Sequence, residues 1–160
     1  MSAGMVAHQV AGCVLPVPAD WQVVPGQPDG RLIAVEPAVE GGRPFRASLV
    51  LTVVHNGGLS FRDWQAGTDR LLPTQLAAYQ LIDLERRPVG GQPGGRRLAQ
   101  HVVDDAVPVT MEQWFAQAGG AGCTLTATVD TVRYDYFADL FAELADGLVV
   151  GPPPRAEAAG

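Results

Sequence analysis

Lysine is absent. All eleven basic side chains are arginine, set against seventeen acidic ones, and the net charge is −6. A negative chain without a clustered basic face has no footprint for a phosphate backbone, which argues against nucleic acid as a partner. "GGQPGGRR" (90–97) is no phosphate loop either, because that loop needs Gly-Lys-Ser/Thr running into a helix. Here Arg96 and Arg97 begin a strand, and the glycines read as a hairpin turn. Cysteine is scarce: Cys13 and Cys123 stand 110 positions apart, a poor disulfide framework, and both read as buried free thiols. No apolar run approaches the ~18 residues of a membrane span, so no direct membrane insertion is expected.

Val10-Ala11-Gly12-Cys13 fits the four-residue pattern at which lipoproteins are cut and lipidated. Such a site works only behind a basic start and an apolar run of about 7–15 residues. The preceding residues carry no Lys or Arg, and Gly4, His8 and Gln9 interrupt their apolar character. Cys13 is therefore expected in a first strand rather than on a lipid, and the chain in the cytoplasm.

What is present is ample for one core: 160 residues, 47% hydrophobic and 18% charged. Residues 1–9 are expected to be a flexible N-terminus, 10–150 a single binding domain and 151–160 a disordered tail. "CVLPVPADWQVV" reads as the first extended segment, "PGQPDG" (25–30) as a turn and "RLIAVEP" (31–37) as a short strand. "ASLVLTVVH" (47–55) is apolar at both parities, which predicts a central strand covered on both faces. Ser60 and Asp63 then signal a helix start. Phe61, Trp64, Thr68, Leu71, Leu72 and Leu76 share one face of that helix, and Pro73 is expected to kink or restart it. "YQLIDLERRPVG" (79–90) predicts a half-buried strand, with "RRLAQHVVDD" (96–105) as its hairpin partner. "VTMEQWFAQ" and "CTLTATVDT" form a second hairpin around "AGGAG". In the latter strand Cys123, Leu125, Ala127 and Val129 alternate with Thr124, Thr126 and Thr128. Asp135 is expected to cap a last helix whose stripe is Phe137, Leu140, Phe141, Leu144 and Leu148. The sum is an α+β fold, a mostly antiparallel sheet of about six or seven strands flanked by helices.

Chemistry has few footholds. His8, His55 and His101 show no ligand spacing with cysteines or acids, so neither a metal nor another cofactor is expected. "HVVDD" (101–105) sets His101 beside Asp104 and Asp105, the basis of an alternative reading as a small-molecule-binding or enzymatic domain. Adjacent strand residues point to opposite faces, however, so the two acids could not serve one site. His101 reads instead as a residue at the sheet edge, and no catalytic residue is assigned. The pattern at 111–115 remains: Met111, Gln113 and Phe115 share one face, with Glu112 and Trp114 on the other. Either helices cover both faces, or the first face is an apolar platform with one amide, suited to an apolar peptide or helix.

"LPVPADW" (15–21), "ASLVLTVV" (47–54), "FRDWQAGTDRLL" (61–72), "GGRRLAQHV" (94–102), "MEQWF" (111–115) and "TLTATV" (124–129) together resemble the PsbP/Mog-like superfamily. That resemblance implies an α/β/α sandwich and a binding module without catalysis. Two branches are similar. One is the LpqN/LpqT-type actinobacterial lipoproteins, of which this chain would be a cytoplasmic relative. The other is the Eag-type chaperones of type VI secretion, cytoplasmic and usually homodimeric, which hold transmembrane helices of effectors against a concave sheet. "MEQWFAQ" is similar to the chaperone strand that carries a groove glutamine, which maps onto Gln113. Thr68 stands where a second groove glutamine falls, and Val23 near an aliphatic groove position. The resemblance thus implies a protein partner with apolar or transmembrane segments.

Overall fold

The structure is a computed structural model that describes residues 4–24, 30–43 and 45–152. In chain order the strands are β1 (Met5–Val10), β2 (Cys13–Pro18), β3 (Gln22–Val24), β4 (Arg31–Val35) and β5 (Ser48–His55). Helix α1 (Phe61–Gln75) follows, then β6 (Ala77–Val89), β7 (Gln92–Val103), β8 (Val107–Ala118) and β9 (Ala121–Asp130). A 3-10 turn leads into α2 (Tyr134–Gly147) and the short β10 (Val149–Val150). Seven strands form one antiparallel sheet in the order β3-β4-β5-β9-β8-β7-β6, and β1-β2-β10 form a second. The fold is α+β, as the alternation of hairpins and helices predicts.

The main core lies where α2 and the small sheet meet one face of the large sheet. Leu15 and Val17 of β2 are fully buried there with Leu49, Leu51, Leu125 and Val129, and with Phe141 and Leu144 of α2. Each such side chain contributes about 1.5–3 kcal/mol on burial. Cys13 and Cys123 join this core as free thiols. They hydrogen-bond each other, which holds Cys13 below the ordinary thiol range and pushes Cys123 above it.

Several sequence expectations are corrected. The stretch 1–9 is not a flexible lead throughout: from Met5 it pairs with β2 across six residues, because Val10 and Cys13 close a hairpin. The presumed single segment 13–24 divides between the two sheets. The tail does not begin at 151, since Gly151 N–H donates to the Gly12 carbonyl at 3.0 Å; residues 153–160 lie outside the described residues, as do 25–29 of the expected turn. β5 is buried on one parity only, leaving Val50 and Thr52 half-exposed. Pro73 neither kinks α1 into two nor restarts it; two residues from the helix end, it removes a single late hydrogen bond. β6 is exposed on both faces because it is the edge of the sheet, so Leu81, Ile82 and Leu84 each remain nearly half exposed. α2 starts after Arg133, without a side-chain cap; Asp135 is an acid inside its first turn. Strand β7 stops at Val103, and Asp104 and Asp105 form the turn, both with left-handed backbone (φ 51° and 58°). His101 sits on this interior strand, 8% exposed, rather than at the edge.

Candidate functional site

The face of the large sheet turned away from α2 is set by strand register. Leu84, Arg97, Gln113, Thr126, Val50, Ile33 and Val24 stand opposite one another in a single row across all seven strands. One neighbouring row runs through Ala99, Met111, Thr128, Ser48 and Val35, the other through Gly95, Phe115, Thr124 and Thr52. Period-2 alternation places all of them on this face.

Helix α1 closes one half of it. Ser60 caps the helix by accepting the Asp63 N–H at 3.1 Å. Phe61 stacks on Phe115 with ring centroids 5.9 Å apart, and Trp64 meets the same ring edge-on at 6.4 Å. Glycines make that approach possible. A Cβ on Gly95 would stand 2.6 Å from the Phe115 ring, and one on Gly122 would stand 2.6 Å from Trp64. The only buried residue of α1 is polar: Gln65. Its partner is Arg97, 1% exposed, whose Nη2 donates to Gln65 Oε1 at 3.1 Å and to Asp69 Oδ1 at 2.5 Å. Arg97 Nη1 donates to Gln113 Oε1 at 2.8 Å, and Gln113 Nε2 donates to Thr126 Oγ1 at 3.0 Å. The Arg97 guanidinium also lies 4.9 Å from the centre of the Phe115 ring. A buried guanidinium has to be matched by acceptors, and this network supplies three.

Met111, Gln113 and Phe115 therefore share one face, as their spacing predicts, but in the free chain they are 3%, 8% and 2% exposed. Thr68 is half-buried on α1 and spends its hydroxyl on the Trp64 carbonyl at 3.2 Å. Val23 pairs with Ala34, whose parity is that of Leu49, so it packs on the core side, opposite Gln113. The other half of the face is different. Ile33, Val35, Ser48, Val50, Thr52, Thr124, Thr126 and Thr128 are all half-buried and all uncharged.

Sequence reasoning missed Arg97, Gln65 and Asp69. The pair Arg96-Arg97 reads simply as two charges beside a turn; the available signal was that Arg97 shares its parity with Ala99 and His101. Arg96 faces the other way, where its Nε donates to Glu112 Oε2 at 2.7 Å, and Tyr134 donates to Glu112 Oε1 at 2.7 Å. Burial and that bond push the Tyr134 hydroxyl up to about 12. His101 is held below its ordinary range by burial, and among the described residues it has no carboxylate hydrogen-bond partner. Among the described residues no cluster of three His, Cys, Asp or Glu side chains is placed to hold a metal, and no helix is long and apolar enough to cross a membrane.

Solved structures share this architecture. PsbP from the cyanobacterium Synechocystis sp. PCC 6803 superposes with a TM-score of 0.68 at 17% identity, covering 92% of this chain and 93% of that one. LpqN of Mycobacterium tuberculosis, involved in cell envelope biogenesis, gives 0.64 at 17% identity over 92% and 90%. The Ran-binding protein MOG1P of Saccharomyces cerevisiae gives 0.60 at 15% identity over 92% and 96%. The chain has the PsbP/Mog-like fold. No protein-family model and no curated protein matches its sequence.

Proposed function

We propose that this protein is a non-enzymatic adaptor or chaperone that holds an apolar helical segment of a partner protein. The observation that supports this most is the uncharged half-face formed by Ile33, Val35, Val50 and the threonines of β9. Aliphatic side chains there give up water when an apolar segment docks, at about 25 cal/mol per Å². The threonine hydroxyls meet the polar groups that membrane-type helices carry. Gln113 has both ends of its amide engaged, so Thr126 presents the polar contact and Gln113 with Arg97 holds it in place. MOG1P, a Ran-binding protein, gives the same fold a protein partner. The reading places the protein in the cytoplasm as a homodimer, with the exposed β6 edge as the surface for a second copy. The enzymatic alternative is weaker, because the acids beside His101 in sequence lie in a turn beyond the strand end.

The test is a titration with a lysine-flanked Leu/Ala helical peptide. Val50→Asp and Thr126→Asp lie at half-exposed positions, so both variants should melt within a few degrees of the parent. Val50→Asp should weaken peptide binding about tenfold or more, since its carboxylate must be desolvated with no partner, and Thr126→Asp should weaken it less, because the Gln113 amide that donates to Thr126 can meet the new carboxylate. Undiminished binding in both variants contradicts the proposal.

A further inference from the structure

A separate cleft of about 370 Å³ opens on the far side of α1, between that helix and β6. Its walls are apolar: Phe61 and Ala66 from the helix, Leu84 from β6 and Phe115 from the sheet. Its floor is Arg97. The acids that line it are already engaged. Asp69 is paired with Arg97, and Glu85 lies 3.7 Å from both Arg87 and Arg96. The arginines at its mouth are not: Arg62 of α1 and Arg86 of β6 are exposed and have no ion-pair partner among the described residues. Arg97 also keeps its buried Nε without an acceptor.

In a chain of net charge −6, this is a local excess of positive charge over stacked aromatic walls. We infer that the cleft binds a small organic carboxylate with an apolar, ring-sized body. The body lies on Phe61, Ala66 and Leu84, and the carboxylate is met at the mouth by Arg62 and Arg86. Asp69 keeps a second carboxylate off Arg97, so the ligand's charge stays outward. The volume is in the range of small-molecule sites, which pair mostly apolar walls with a few placed polar groups. Arginine suits the head group because its planar fork matches a carboxylate. Nothing here depends on the protein-binding reading, which concerns the opposite side of α1.

Calorimetric titration of the full chain with 2-naphthoate and with the neutral 2-naphthalenemethanol tests the site. The acid should saturate at one per chain and bind about tenfold or more tighter than the alcohol. Arg62→Ala/Arg86→Ala should weaken the acid about tenfold or more without lowering the melting temperature, because both side chains are exposed and unpaired. Val50→Asp should leave it unchanged. Absent saturation, equal affinity for acid and alcohol, or a loss caused by Val50→Asp and not by the arginine replacements would each overturn the inference.

Discussion

Arg97 and Gln113 stand directly opposite on neighbouring strands, and the guanidinium donates to the amide oxygen at 2.8 Å. This pair divides the sheet face in two. On one side the helix α1 is anchored through Gln65 and Asp69; on the other the amide turns to Thr126 and the half-buried threonines begin.

Gln113→Arg should be strongly destabilising. It replaces the acceptor of a 1%-exposed guanidinium with a second cation. Breaking a buried charged network in this way costs about 3 kcal/mol or more. Chemical denaturation checks this: a midpoint within error of the parent's would mean that Gln113 is freely hydrated in solution.

That the relevant face would hold Met111, Gln113 and Phe115 was legible, because strand parity alone fixes it. The helix start at Ser60 was legible too, from the hydroxyl and the acid three residues on. What covers the face was not. The stripe Phe61, Trp64, Thr68, Leu72 looks like an ordinary core stripe, yet α1 docks with a glutamine buried and Leu71 half exposed. Its docking depends on Gly95 and Gly122 lying beneath two aromatic rings from distant segments, and on an arginine matched by three acceptors on two other elements. None of these is a local pattern. Val23 failed for a related reason: the parity of a three-residue strand is set by its pairing partner, Ala34, not by its own sequence.

Two groups set separate acid windows. His101 has its pKa lowered by burial, so the unfolded chain binds more protons below the ordinary value of 6.5. Its contribution is complete above that value and is lost as pH falls through it toward the folded pKa. Burial raises the pKa of Glu36, but hydrogen bonds from Arg133 and the Ala47 N–H outweigh this and hold the carboxyl below 4.5. Its contribution is complete above 4.5 and is lost only at lower pH. Urea midpoints measured between about pH 8 and pH 5 should fall in the parent and stay level in His101→Leu. An equal slope in that variant would remove the assignment.

Cys13 and Cys123 should resist a soluble thiol reagent in the native protein, being 1% and 2% exposed, and react together once the chain is unfolded. Cys13→Ser should cost about 1 kcal/mol. Rapid native labelling of Cys123 would show that the two sheets part in solution.

If the half-face around Val50 and the β9 threonines receives an apolar segment of another protein, a crosslinker on that face should capture it. A photo-crosslinking residue placed at Val50, with one at the exposed Tyr136 as control, tests it in the living host; Tyr136 is 84% exposed and lies on α2, on the opposite side of the sheet. Mass spectrometry of the adducts reads which residues of the partner were captured. Val50 should capture a continuous apolar helical segment that Tyr136 does not. Adducts from Val50 confined to polar segments, or the same partners captured equally at both positions, would contradict it.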